Sequence, residues 1–158
     1  MDSSNVGAAI HRSKYDCAGD FPDFLLVQTL RAFRNKFGQE QFDLLLYVPP
    51  TVSGDLVKNF AVKIAKVLNI PLSNDLQKQR LTSEQKVFEN AYLKHDNVKD
   101  AFSYGNPEDI EGKNIVLLDD IFDSGATIKE IGRYLTQLGA AKIAPLVIAR
   151  TVGGDLNE

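Results

Sequence analysis

The residues with the greatest capacity for chemistry lie together between positions 115 and 127. Four branched apolar residues, 115–118, are followed at once by the carboxylates of Asp119 and Asp120. An apolar run of this kind is typical of a strand that is buried on both faces of a parallel sheet. Ligands of open α/β sheets bind outside the carboxyl ends of the strands, so the two acids mark a candidate binding site.

The loop that follows the acids is rich in small and hydroxyl-bearing residues and precedes a helical pattern. Small residues expose backbone N–H groups at the start of a helix, where the helix dipole favours an anion such as phosphate. Two acids beside such a loop would suit a ligand with both sugar hydroxyls and a phosphate. The alternative is that the acids cap an ordinary turn and that the loop is a plain helix start. The loop comprises Asp123, Ser124, Gly125, Ala126 and Thr127.

The order of residue classes from 115 to 127 resembles the phosphoribosyl pyrophosphate (PRPP) motif of the type I phosphoribosyltransferases. This resemblance implies that Asp119 and Asp120 hold the 2- and 3-hydroxyls of the ribose. It also implies that residues 123–127 wrap the 5-phosphate. Within that loop, Asp123 would be the catalytic residue, because the resemblance gives it a role as proton acceptor or donor near the base.

The resemblance further implies a second anion pocket for the pyrophosphate that leaves. Thr51, Ser53 and Gly54 occupy that loop, after the first core strand, although the same residues would also suit a plain turn. Lys78 and Arg80 are the candidate cations, since a fixed positive charge at a leaving diphosphate stabilises the transition state. They lie in a basic stretch that could equally be a solvated surface. No spacing of histidines and acids suggests a protein-held metal, so magnesium is expected to arrive as Mg-PRPP.

The elements that must position these residues form an alternating pattern of helices and apolar strands. The pattern predicts an α/β domain with a doubly wound, mainly parallel sheet of about five strands flanked by helices. The resemblance adds a small amino-terminal hood element, which divides the single domain 1–158 into a hood segment, 1–40, and a core, 41–150. The predicted helices are 23–38, 55–68 and 124–138, and the predicted strands are 44–48, 69–72, 115–118 and 143–148.

Bulk properties restrict the class of protein. A chain of 158 residues with 44% hydrophobic residues suits one domain with a real core. The net charge of −3 argues against nucleic-acid binding by bulk electrostatics. No apolar run is long enough to span a bilayer, so no membrane partner is expected. Cys17 is the single cysteine, and a cytoplasmic location is the default expectation.

The wider sequence is similar to the ComF-type branch of the phosphoribosyltransferases. It is more similar still to phosphoribosyltransferase-like domains at the carboxyl end of some bacterial RecQ-type DNA helicases, through segments 10–15, 19–22 and 48–54. The resemblance implies covalently linked helicase domains in a longer chain, although no Walker-type loop is present in these residues. The resemblance to the type I family also implies a homodimer.

Two functions stay open at this point. The domain would bind Mg-PRPP, or a related 5-phosphoribosyl ligand, and transfer the phosphoribosyl group to a nitrogenous acceptor. Alternatively, it would be a non-catalytic PRPP-sensing or interaction module attached to a RecQ-type helicase. Residues 151–158, which follow Arg150, include no aromatic residue, so a pocket for a base would need to come from the amino-terminal segment, for instance from Tyr15, Phe21 or Phe24.

Overall fold

Helices and strands alternate along the chain, as the periodicity predicts. The computed structural model describes residues 9, 20–50, 54–79, 100–122 and 125–150. Within these ranges no helix has the length and apolar character needed to cross a membrane. The elements, numbered in chain order, are α1 (Asp23–Phe37), β1 (Leu44–Tyr47), α2 (Leu56–Leu68), β2 (Leu76–Lys78), β3 (Phe102–Tyr104), a 3-10 turn (Pro107–Asp109), β4 (Asn114–Phe122), α3 (Ala126–Gln137) and β5 (Lys142–Arg150).

Three of the five described strands form a parallel sheet in the order β1-β4-β5, with β4 at its centre. The predicted strand 69–72 is reduced to one parallel bridge between Leu72 and Leu45. Pro71 explains this short pairing, because proline has no N–H to give to a ladder. Its carbonyl still accepts the N–H of Leu45 at 2.8 Å. The predicted parallel α/β architecture is therefore confirmed, with fewer parallel strands than five among the described residues.

Each face of this sheet is covered by its own layer, which is the doubly wound arrangement that the sequence predicts. Side chains alternate along β4, so Val116 and Leu118 face one way while Ile115 and Leu117 face the other. The first pair packs in a core cluster with residues of α1 and α2. The second pair packs with residues of α3 and of the strands β2 and β3. All four side chains have no exposed surface.

Helices α1 and α2 both bury an apolar stripe on the first face. Leu56, Phe60 and Ile64 recur at four-residue spacing along α2 and are buried there. The helix is capped by Asn69, which adopts left-handed backbone angles and donates its N–H to the carbonyl of Ala65. Helix α1 contributes Leu25 and Phe33 to the same cluster. The predicted division into hood and core at residue 40 stays a prediction.

An antiparallel ribbon of β2 and β3 lies on the second face, and the sequence did not predict it. Lys78 pairs with Phe102, and Leu76 pairs with Tyr104. Periodicity could not reveal strands this short, because β2 alternates only once between a buried and an exposed residue. The ribbon matters for the site because Lys78, one of the predicted site residues, lies in β2.

Candidate functional site

The two acids lie on the part of β4 that pairs with β5 and extends beyond the pairing with β1. β1 ends its pairing where Tyr47 lies opposite Leu118. β5 continues to pair with β4 as far as Phe122 and Arg150. Asp119 and Asp120 therefore lie within β4, rather than just after the strand as the sequence predicted. The strand is longer than expected because β5 supplies hydrogen-bond partners for its last residues.

A hydrogen bond within the acid pair fixes the first carboxylate. Backbone groups alternate in direction along a strand, and the carbonyl of Leu118 accepts the N–H of Val48 on the β1 side at 2.8 Å. The N–H of Asp120 therefore points to the same side, beyond the last residue of β1. It donates to Oδ1 of Asp119 at 2.8 Å. The Asp120 side chain is buried, with 7% of its surface exposed, while Asp119 is half-buried.

A corresponding bond lies at the opposite end of β4. There the N–H of Asn114 donates to Oδ2 of Asp43 at 2.8 Å. A carboxylate thus satisfies a β4 N–H group at each end of the edge that faces β1. The similarity makes Asp43 a useful control residue, since it has the same backbone role far from the candidate site.

The start of α3 is the part of the candidate site that is predicted to bind an anion. Gly125 precedes the helix with φ 75° and ψ 4°, a left-handed conformation that glycine adopts without steric cost. Ala126 is buried and Thr127 is half-buried at the first turn. No side-chain hydrogen bond from the described residues caps this turn at Gly125. Asp123 and Ser124, the other predicted members of the loop, lie outside the described residues.

Lys78 lies close enough to Asp119 for the two charges to interact. Burial lowers the pKa of the Lys78 ammonium, and the negative charge of Asp119 opposes that shift by raising it. The structure therefore brings together a predicted cation and a predicted ribose-binding acid that are far apart in sequence. Arg80, the second predicted cation, lies outside the described residues.

The predicted pyrophosphate loop is described at one residue only. Gly54 is exposed, has φ 57° and lies two residues before the first residue of α2. The first turn of that helix has no side-chain cap from Asp55. Nearby, burial raises the pKa of Tyr47, and the charge of Asp55 raises it further. Thr51 and Ser53 lie outside the described residues.

The donor set fits a magnesium ion that is bound mainly by its ligand. Among the described side chains, no group of three or more histidine, cysteine, aspartate or glutamate residues could hold a metal. Asp119 and Asp120 provide carboxylate oxygens, which are the hard donors that Mg²⁺ prefers. Mg²⁺ commonly binds through one or two carboxylates, with phosphate oxygens and waters completing its shell.

A buried ionic network on α3 was missed by the sequence reasoning. The Glu130 side chain has only 2% of its surface exposed. Its Oε1 accepts the N–H of Asp100 at 2.9 Å and Nη2 of Arg133 at 2.6 Å. The signal was available, because Glu130 interrupts the buried positions of an amphipathic helix and has a basic residue three positions later.

The aromatic residues proposed for a base pocket have other roles where the structure describes them. The rings of Phe21 and Phe60 pack edge to face, with centroids 5.6 Å apart, and Phe21 is buried. Phe24 packs against the same core. Phe21 is therefore a core residue rather than a stacking platform, because α2 covers it. Tyr15 lies outside the described residues.

Fold and site together define an α/β domain with an acid pair and a helix start at the carboxyl edge of its parallel sheet. The profile of the family described as "Phosphoribosyl transferase domain" matches residues 59–154. The chain belongs to this family. The adenine phosphoribosyltransferase crystal structure has the same fold, with a TM-score of 0.56 at 15% identity, over 80% of this chain and 68% of that one.

Two curated relatives extend the comparison. The DNA utilization protein YhgH of Shigella flexneri is 32% identical across 90% of this chain and 66% of its own length. The transcriptional regulator GfcR of Methanococcoides burtonii is 37% identical over 51 residues, which are 32% of this chain and 25% of the relative. The chain thus spans between 25% and 66% of the length of these relatives.

Proposed function

We propose that this domain binds Mg-PRPP, or a related 5-phosphoribosyl ligand, at the carboxyl edge of its parallel sheet. The observation that carries the proposal is the position of Asp119 and Asp120 on β4, directly beyond the last residue of β4 that pairs with β1. The charge of Lys78 on the ribbon interacts with that of Asp119, and the start of α3 follows the acids along the chain. Membership of the phosphoribosyl transferase family supports the same ligand class.

Each part of the ligand has a partner of suitable chemistry. Carboxylates of Asp119 and Asp120 accept hydrogen bonds from the ribose hydroxyls. The N–H groups at Gly125, Ala126 and Thr127 bind the 5-phosphate, together with the proposed Ser124. Lys78 contributes positive charge at the pyrophosphate. Thr51, Ser53, Gly54 and Arg80 complete the proposed pyrophosphate contacts.

In the proposed transfer reaction, the bond between the anomeric carbon and pyrophosphate breaks as a nitrogen of the acceptor forms its bond to that carbon. Positive charge develops on the ribose, and the fixed carboxylates nearby stabilise it. Mg²⁺ would be held mainly by the oxygens of the ligand, with the carboxylates of Asp119 and Asp120 beside it, and would supply charge neutralisation for the departing diphosphate. Asp123 is proposed as the general base that takes the proton from the acceptor nitrogen.

The test is a calorimetric titration of Mg-PRPP into the wild type and an Asp119→Asn/Asp120→Asn variant. The wild type should bind, and the variant should lose about 2 to 4 kcal/mol of binding free energy, because charge-assisted bonds to the ribose disappear. Asp43→Asn is the matched control and should bind like the wild type. Absence of wild-type binding, or undiminished binding by the double variant, would contradict the proposal.

A second candidate function is ligand sensing without turnover. It is supported by the names of two relatives, one a transcriptional regulator and the other a DNA utilization protein. In this alternative, ligand binding at the PRPP pocket regulates a linked module. We predict that this module is a RecQ-type helicase and that the whole protein is cytoplasmic and dimeric. Pyrophosphate release with a panel of bases and amines separates the two candidates. Release with any acceptor identifies a transferase, and binding without release across the panel favours a sensor.

A further inference from the structure

The ribbon that carries Lys78 is attached to α3 along its outer edge. β3 pairs with β2 on one edge, where Gln79 donates its N–H to Ala101 at 2.7 Å. The N–H groups of Asp100 and Tyr104 point away from β2, because backbone directions alternate along a strand. Side chains of α3 accept both of them: Glu130 from Asp100 and the Tyr134 hydroxyl from Tyr104, each at 2.9 Å.

Glu130 is the centre of the attachment at Asp100. Arg133 donates from Nε to Glu130 Oε2 at 3.0 Å and from Nη2 to Asp100 Oδ1 at 2.8 Å. The pKa of Arg133 is raised, mainly by its hydrogen bonds to Glu130, so the guanidinium stays charged. The network holds Asp100 in a left-handed conformation, with φ 51°, which is uncommon for a residue with a side chain.

This network lies between two parts of the proposed site. Glu130 is one helical turn beyond Ala126 at the helix start. Asp100 lies two residues before Phe102, which pairs with Lys78. The contacts therefore lead from the proposed 5-phosphate site, through Glu130 and β3, to Lys78, whose ammonium interacts with the charge of Asp119.

We infer that Glu130 is a positioning residue that sets the place of Lys78 and so gives the site its preference for diphosphate-bearing ligands. The inference rests on the proposed function. A ligand with only a 5-phosphate depends on the acids and the start of α3. A ligand that also carries a diphosphate depends on Lys78, and hence on the network that holds the ribbon.

Glu130→Gln tests the inference at its centre. A glutamine side chain offers one oxygen where the carboxylate offers two, so at least one donor of Arg133 faces an NH₂ group instead. We expect about tenfold weaker binding of Mg-PRPP, the size typical of coupled contacts. Binding of ribose 5-phosphate should change by less than about twofold.

A double-mutant cycle with Lys78→Met separates positioning from general damage. If Glu130 acts through Lys78, Glu130→Gln adds less than about a twofold loss of Mg-PRPP binding in the Lys78→Met background. The same additional loss in both backgrounds would overturn the inference, as would equal weakening of ribose 5-phosphate. Thr136→Ala is the matched control on α3, because the Thr136 hydroxyl is exposed and, among the residues that the structure describes, donates to the Gly132 carbonyl within the helix.

A second variant keeps the test available if Glu130→Gln does not fold. Arg133→Gln changes an exposed side chain and removes the donors that orient Glu130, so the same selective loss of about threefold is expected. If the wild type binds Mg-PRPP and every network variant binds it equally well, the inference is overturned but the proposed function is not. A wild type that binds neither Mg-PRPP nor ribose 5-phosphate overturns the proposed function as well.

Discussion

At the scale of single residues, Lys78 combines a cost to folding with a proposed role in binding. Burial removes water from its ammonium, and the nearby Asp119 only partly compensates, since the net effect is to lower the pKa. A charged group whose environment disfavours the charge reduces the stability of the fold. Such a cost is common where a side chain is placed for a ligand rather than for packing.

Replacing this lysine should therefore stabilise the ligand-free protein while weakening ligand binding. We expect Lys78→Met to raise the free energy of unfolding by up to about 1 kcal/mol at about pH 7. The folded-state pKa of Lys78 lies below its ordinary value of 10.5, so the unfolded chain binds the proton more readily. The penalty is full below the folded-state pKa and fades as the pH rises towards the unfolded value.

Urea unfolding of wild type and Lys78→Met at about pH 7 and about pH 10 measures this difference. The stability gap should narrow at the higher pH, because the wild-type lysine then loses its charge. A less stable variant at neutral pH would show that the attraction to Asp119 outweighs the cost of burial. Lys129→Met is the control, because Lys129 is exposed on α3.

At the scale of elements, α3 links the proposed phosphate site to the rest of the domain. Gly125, which has a left-handed backbone conformation, precedes the first residue of this helix. Side chains further along the helix accept hydrogen bonds from the N–H groups of Asp100 and Tyr104, at the two ends of the segment 100–104 that contains β3. Two glycines with different roles therefore lie in or next to this helix. Gly125 turns the chain into the helix, whereas Gly132 lies inside it, and a Cβ added at Gly132 meets no atom within 4 Å.

The two glycines should respond in opposite ways to alanine. Gly125→Ala places a side chain in the left-handed region and should destabilise the fold by about 1 to 2 kcal/mol. Gly132→Ala restricts the unfolded chain at a helical position and should stabilise it by about 0.5 to 1 kcal/mol. Chemical denaturation followed by circular dichroism measures both. A stabilising Gly125→Ala would mean that the helix start does not need the left-handed conformation.

At the scale of the whole molecule, β4 joins the two core clusters. Its alternating side chains enter both, with Val116 and Leu118 on the α1–α2 face and Ile115 and Leu117 on the α3–ribbon face. Unfolding of one face would strip the central strand of half its packing. We therefore expect the described domain to unfold as one cooperative unit.

Truncation on either face tests this cooperativity. Leu117→Ala and Leu118→Ala should each destabilise the protein by about 2 to 5 kcal/mol, because both side chains are fully buried. Tyrosine fluorescence and far-ultraviolet circular dichroism should report the same urea midpoint for each variant, since the chain has no tryptophan. Separate midpoints for the two probes, in either variant, would show that the faces unfold independently.

The sequence alone determined the elements with strong periodicity and supplied the hypothesis for the site. Helix α2 was predicted within one residue of its observed start, because Leu56, Phe60 and Ile64 mark one face at helical spacing. The run 115–118 was correctly predicted as a buried strand in a parallel sheet, since every residue in it is apolar. Asp119, Asp120 and the start of α3 were identified as neighbours because they are adjacent in the chain.

Only the tertiary structure decided which distant residues meet. The ribbon was missed because its short strands are stabilised by pairing with each other and by α3, neither of which leaves a local pattern. The extension of β4 past the acids depends on β5, and the meeting of Lys78 with Asp119 depends on the ribbon. Periodicity and adjacent motifs record interactions between near neighbours, whereas strand pairing and buried ionic contacts join residues far apart in sequence. The physical cause of these distant contacts is the packing of layers on both faces of one sheet.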